Sequence, residues 1–421
     1  MLDVWKEAEP TVAKGLLNLL KHSQHFPDEF HQPLKMVNDV LARQISKVPL
    51  KHLESMEELF PLLYVESQPV QQTAFDILHK QIPLAQEQVS IDAALDKTTA
   101  RLPEELLSLI LEAPTVAALA DAPFDRSIPL PLRGYLLSWL LVFDHVEHAS
   151  FKVKTDYIDH IKDGAYLPGL LDFTFDFLGH AHGQAVDVSK LDPTTWVPDI
   201  ELPLRETQWL LTHLYYLCLV HLPSLTKSWY ISSAPRPVAV ALEPWTEKHI
   251  SPPVISAALS AVQTWSESLA ESDPDSPFTV RIASRAHEII ASYLIDDQPL
   301  SMRIALPPSF PLTAARIDAP NRIAVSEQKL QSWLRISLGA ITLFNGSLVD
   351  ALTTFRRNVE GAVKGQTECA ICYSIVGSDR RLPDKKCGTC RNAFHGGCLF
   401  KWFKSSGGSS CPLCRNMFNY G

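Results

Sequence analysis

The residues best suited to chemistry in this chain are crowded into its last 53, Cys369 to Gly421. Seven of the eight cysteines lie there, in the order Cys369-x2-Cys372-x14-Cys387-x2-Cys390-x4-His395-x2-Cys398-x12-Cys411-x2-Cys414. They form four pairs, each with two residues between its members, and a tight turn can present both members of such a pair to one metal. Structural zinc takes four thiolate or imidazole ligands in a tetrahedron. Seven thiolates and one imidazole therefore close two Zn2+ sites with no ligand left over. A closed shell offers no position for water or substrate, so metal-assisted hydrolysis is excluded and the metals are expected to supply folding free energy. Cysteines bunched in this way point to a reducing compartment, cytosol or nucleus, not to a disulfide framework.

Little else in the chain offers chemistry. Cys218 stands alone in the apolar run Leu217-Cys218-Leu219-Val220 and reads as a buried small hydrophobe. It is a poor candidate for a covalent intermediate, which needs an accessible thiol of lowered pKa. His180-x-His182 is half a metal site at most and reads as a loop or helix end. No phosphate-binding loop, Gly-x-Ser-x-Gly elbow or His-Glu-x-x-His zincin pattern occurs.

The tail resembles the RING family of ubiquitin ligases. An apolar residue, Ile371, lies between the first two cysteines, Trp402 follows the sixth ligand, and Pro412 follows the seventh. PHD fingers share the ligand order but usually place an aromatic residue two positions before the seventh ligand, where this chain has Ser409. The fourth ligand is Cys390 instead of the commoner His, as in RING-CH variants. The resemblance implies a cross-brace, with zinc 1 on Cys369, Cys372, His395 and Cys398 and zinc 2 on Cys387, Cys390, Cys411 and Cys414. It also implies that Ile371, Trp402 and Pro412 form a docking patch for a ubiquitin-charged conjugating enzyme. Arg415 would then be the cation bridging that enzyme and ubiquitin. A non-catalytic, zinc-stabilised scaffold and a PHD-type chromatin reader remain the alternatives.

Charge does not point to nucleic acid. The net charge is −9. Residues 366–421 have eight Lys or Arg against three Asp or Glu, a surplus of five, but seven thiolates set against two divalent ions return three of these. The local basicity mostly compensates thiolate charge, and no direct DNA binding is expected.

Several elements must place this tail. Residues 1–235 read as helical: Ser67-Gln68-Pro69 is a helix start, and Val70, Ala74, Ile77 and Leu78 make an i, i+4, i+7, i+8 stripe. With the apolar segment Leu53 to Tyr64 they suggest a helical hairpin. Further helices are expected over Pro103–Leu111, Leu132–Phe143, Leu167–Leu178 and Glu206–Leu222. The pattern fits an irregular HEAT-like solenoid. Tyr135 to Phe143 is the most apolar run but falls far short of the ~20 residues of a membrane span, so no membrane partner is expected. Residues 1–14 contain no apolar signal-peptide core.

The prolines at 235, 237 and 244 suggest a boundary. Residues 236–365 then read as an α+β domain: a helix over 252–270, strands at Phe278–Ile282, His287–Ile295 and Leu300–Leu306, and a further strand-like stretch to Val325. Helices Ser326–Phe344 and Ser347–Val363 close it, the second starting at a capping box with Asp350. The element order and Leu306-Pro307-Pro308-Ser309-Phe310-Pro311 resemble the RWD fold, a binding module related to ubiquitin-conjugating enzymes. The domain has no cysteine and so cannot hold a ubiquitin thioester. Residues 366–421 form the RING.

The whole series, together with His395-x-x-Cys398-Leu-Phe-Lys-Trp402-Phe and Ser405-Ser406, resembles the C-terminal part of the listerin family of ribosome-associated quality-control ubiquitin ligases. The resemblance implies a cytosolic ligase acting without a covalent intermediate on nascent chains of stalled large ribosomal subunits. Ubiquitin and its conjugating enzyme would be the other partners.

Overall fold

The computed structural model describes residues 2–22, 31–48, 56–119, 127–198, 202–364 and 366–419. They fall into two compact units, Met1–Ile250 and Ser251–Gly421.

The first unit is helical: α1 Leu2–His22, α2 His31–Ile45, α3 Gln68–Asp96, α4 Glu104–Ile110, α5 Leu130–Glu147, α6 Phe151–Asp163, α7 Tyr166–Phe177, α8 Pro203–His221, α9 Pro223–Ser232 and α10 Arg236–His249. Most pack on their sequence neighbours, α1 on α2, α2 on α3, and α5 through α9 in succession. Neighbour-on-neighbour packing is how helical repeats build a continuous core. Helix α5 is the exception to amphipathicity. Every residue from Leu132 to Val146 is buried, enclosed by α3, α4, α6 and α8. Two of its polar side chains pair with α3: Asp144 accepts from His79 at 2.8 Å, and His145 lies 2.7 Å from the Gln86 amide. The apolar run over Tyr135–Phe143 is thus part of a buried core helix. No helix among the described residues is long and apolar enough to cross a membrane.

The segment before α3 is helical, as expected, and packs on α3. Glu57–Tyr64 is a 3₁₀ helix, not an α-helix, and Leu53 lies outside the described residues. Pro61 within it removes a donor and disfavours a regular α-turn. This 3₁₀ helix lies so close to α5 that a Cβ on Gly134 would sit 2.4 Å from the Leu63 carbonyl oxygen. The chain breaks at residues 233–235 between α9 and α10, but the helical unit continues past prolines 235, 237 and 244 to Ile250. Pro235 caps α10, Pro237 occupies its first turn where no donor is needed, and Pro244 lies inside it.

The second unit begins with α11, Ser251–Ser272. A four-stranded antiparallel meander follows, β1 Phe278–Ala283, β2 Glu288–Ile295, β3 Gln298–Ala305 and β4 Arg316–Asn321, in spatial order β1-β2-β3-β4. The register pairs Ile289 with Ile304, Ala291 with Met302 and Tyr293 with Leu300 on one face. That face meets Leu352, Phe355 and Val359 of α13, Leu348–Val363, and Leu330 and Leu334 of α12, Glu327–Thr342. Ser347 and Asp350 form the expected reciprocal capping box on α13. Residues 366–419 are mostly turns around a two-stranded ribbon, β5 Lys385–Lys386 and β6 Ala393–Phe394, and one helix, α14 Gly396–Ser406. The order is therefore a HEAT-like helical region, a small RWD-like sheet-and-helix domain, and a RING.

Candidate metal centres

Three of the four ligand pairs fold into the same turn. In Cys369-x-x-Cys372, Cys387-x-x-Cys390 and Cys411-x-x-Cys414 the residue after the second cysteine donates its N–H to the carbonyl of the first. The donors are Tyr373, Arg391 and Arg415, at 2.8, 2.8 and 3.0 Å. The first cysteine donates in turn to the carbonyl five residues on, Ser374, Asn392 or Asn416. Tyr373, Arg391 and Arg415 all adopt left-handed backbone, φ 58°, 59° and 58°. The turn demands this conformation although none of the three is glycine. The fourth pair opens α14, where Leu399 donates to the His395 carbonyl.

These turns bring the eight side chains into two groups. Cys369, Cys372, His395 and Cys398 form one; Cys387, Cys390, Cys411 and Cys414 form the other. In each group the candidate ligand atoms all lie within 4.8 Å of one another. The Cys387–Cys414 and Cys390–Cys411 sulfurs stand 3.8 and 3.7 Å apart. A tetrahedron with Zn–S near 2.3 Å has edges of about 3.8 Å, so the donor set fits the ion. His395 presents Nδ1 to the first group, 3.4 Å from Cys372 Sγ and 3.9 Å from Cys398 Sγ, and donates from Nε2 to the Ile375 carbonyl at 3.2 Å. That second bond fixes the tautomer that leaves Nδ1 free to ligate. Gly377 is required beside it, since a Cβ there would lie 2.9 Å from the imidazole Cδ2.

The thiols differ in acidity. The side-chain and backbone hydrogen bonds of Asn392 hold Cys390 down at about 6. Burial pushes Cys398 and Cys411 up to about 12. A metal that binds all of them must displace protons, so affinity is expected to fall as the solution is acidified. No other group of metal-ligand residues occurs among the described residues. His180 and His182 do not form half a site. His180 is buried edge-on against Phe175 and Trp245, and His182 lies 3.3 Å from Asp176. Cys218 is fully buried and its thiol is pushed well above the ordinary value.

The four proposed docking residues sit on the surface of the module. Ile371 is half-buried against the cluster of Cys369, Phe394, Leu399 and Phe418. Trp402 is half-buried on α14, and its indole N–H donates to the Ser410 carbonyl at 3.0 Å. That bond ties the helix to the strand entering Cys411-Pro412. Pro412 is half-buried and Arg415 exposed, in the turn already described. Spacing gave no sign of the anchorage of the loop between the first and second pairs. Val376 is buried in the core of the sheet domain, with Ile375 and Leu382 packed against that core. Asp296, in the β2–β3 turn, accepts from the Val376 N–H at 2.7 Å.

The family model described as the LTN1 family HEAT repeat region matches residues 49–263, more than half of the chain. The chain belongs to the LTN1 family. Two further models match within this LTN1-family chain, a ubiquitin conjugating domain-like model over residues 278–362 and a Ring finger domain over 367–415. The chain is similar to the E3 ubiquitin-protein ligase listerin of Neurospora crassa, 39% identical over 436 residues, covering 100% of this chain and 27% of that protein. It is similar to listerin of Schizosaccharomyces pombe, 30% identical over 92% of this chain and 24% of that protein. It is also similar to listerin of Mus musculus, 30% identical over 91% and 23%. The chain spans about a quarter of the length of these LTN1-family relatives.

Proposed function

We propose that this chain is a RING-type ubiquitin ligase that binds two zinc ions, one on Cys369, Cys372, His395 and Cys398, the other on Cys387, Cys390, Cys411 and Cys414. The observation that supports it is the pair of interleaved, tetrahedrally spaced ligand groups in one module, in which Ile371, Trp402 and Pro412 are each half-buried. Neither group can form from one half of the module, since the sequence alternates between them. Zinc, when bound, supplies a rigid frame and no reactive water.

On this reading Ile371, Trp402 and Pro412 dock a ubiquitin-charged conjugating enzyme, and Arg415 contacts ubiquitin. The thioester is held in an orientation open to attack by a substrate lysine, and the rate gain is one of positioning. No covalent intermediate forms on this chain, because the one cysteine outside the two groups is enclosed in the helical unit. The resemblance of the sequence to the listerin family extends this reading to a cytosolic role on nascent chains of stalled large ribosomal subunits, with the RWD-like domain as the ribosome contact.

The test is lysine discharge from a panel of charged conjugating enzymes by the intact chain. Wild type should accelerate discharge, and Ile371→Ala should remove about tenfold or more of the gain, the scale of an interface anchor. No acceleration with any conjugating enzyme would sink the ligase reading. Co-sedimentation of the intact chain with large ribosomal subunits tests the target separately.

A further inference from the structure

The Ile375–Val376 peptide group faces two ways. Its carbonyl accepts from His395 Nε2 at 3.2 Å, and its N–H donates to Asp296 Oδ2 at 2.7 Å. The two bonds share one rigid plane, because a peptide group does not twist. A second bond, from the Ala324 N–H to the Arg380 carbonyl at 2.9 Å, pins the far side of the same loop. Asp296 and Ala324 are both left-handed, φ 47° and 60°. The sheet domain thus holds two backbone positions in sparsely populated conformations at the points where the metal module is fastened.

We infer that the RWD-like domain completes the first metal site, with Asp296 as a positioning residue that acts on His395 through the Ile375–Val376 peptide. The inference rests on the zinc reading above. A ligating imidazole needs its second nitrogen held by an acceptor, which sets the tautomer and ring plane and raises ligand basicity. Here that acceptor is a carbonyl whose own plane is set by a carboxylate 80 residues earlier in the chain. The carboxylate also polarises the peptide, which makes the carbonyl a stronger acceptor. The result is a carboxylate–histidine arrangement with one peptide group inserted between the two. The second site has four cysteines and no such link, so it serves as an internal control.

The experiment uses the intact chain with both sites filled by cadmium, whose NMR signal separates a three-cysteine, one-histidine site from a four-cysteine site. Release to a chelator is followed at each. Asp296→Gly removes the carboxylate but keeps the freedom to adopt positive φ. It should speed release from the histidine-containing site about tenfold, the lower end of what loss of an outer-shell partner costs, and leave the four-cysteine site unchanged. Asp296→Asn, which retains an acceptor and tolerates left-handed backbone, should restore release to within about threefold of wild type.

Wild-type release at both sites of Asp296→Gly overturns the inference, as does equal acceleration at both. Coupling is reciprocal, so a measurement on wild type alone also decides. Removing metal must speed hydrogen exchange at the Val376 and Ala324 amides, and unchanged exchange there refutes the link. A chain that binds two metal ions but is indifferent to Asp296 refutes this inference alone. A chain that binds none refutes the zinc reading with it.

Discussion

Helix α5 and the metal module are built from opposite materials. From Leu132 to Val146 every residue of α5 is buried. In residues 366–419 the buried apolar side chains other than cysteine are Pro383, Ala393, Phe394, Leu399 and Phe418, with Val376 belonging to the neighbouring core. Burial of apolar surface at about 25 cal/mol per Å² stabilises the helical unit without an ion. The module has too little such surface, and its turns place four non-glycine residues, Tyr373, Arg380, Arg391 and Arg415, in left-handed backbone. The helical unit is therefore expected to depend on packing and the module on metal.

Chelation should separate the two most sharply. A structural zinc site supplies on the order of 10 kcal/mol, so removing both ions should abolish protection of the amides in residues 366–419 in hydrogen exchange. The melting of the helical unit should not move. A fall in that melting temperature on chelation would break the comparison.

Acid is the next largest effect, and within the helical unit it acts without any metal. Burial lowers His145 and His180 to about 4 and His221 to about 3, from an ordinary 6.5. The unfolded chain therefore takes up protons that the folded chain refuses. Stability is full above about pH 6.5 and declines as pH falls towards 4, at up to about 1.4 kcal/mol per pH unit for each histidine. Urea unfolding followed by helical circular dichroism should lose on the order of 5 kcal/mol between pH 7 and pH 4.5. A flat profile would mean that the three rings are not enclosed as described.

Phe143→Ala should be smaller, about 3–5 kcal/mol for an aromatic core truncation, read in the same urea experiment. Phe143 is 1% exposed and packs by Trp139 and His221. Metal release from the module should be unchanged. If Phe143→Ala loosens the metal sites, the division between packing and metal is less clean than the buried residues indicate.

Much of this was legible in the sequence because the decisive signals are local. Cys-x-x-Cys spacing specifies a turn, and Ser347-x-x-Asp350 specifies a helix start. The apolar, β-branched-rich run over His287–Ile295 specifies a strand. The helical unit was legible as helices but less so in detail. Pro61 lies in a segment that is helical but 3₁₀, and Pro235 and Pro237 mark a break between two helices of one unit. Proline is compatible with either outcome, and only tertiary packing decides. The anchorage of the module on Asp296 was not legible at all. A hydrogen bond to a backbone N–H leaves no mark on the residue that donates it, and Asp296-Asp297 reads as any β-turn.

Cys218 has a consequence for how the chain can be interrogated and damaged. Seven thiols belong to the two ligand groups, and the eighth is enclosed with its thiol strongly disfavoured from ionising. The folded protein therefore has no bystander cysteine. With zinc on both groups as proposed, any thiol of this chain that an alkylating reagent finds comes from an opened site, and any oxidant that modifies cysteine does so at the expense of the module. A simple count of reactive thiols becomes a gauge of how much of a preparation is still in working order.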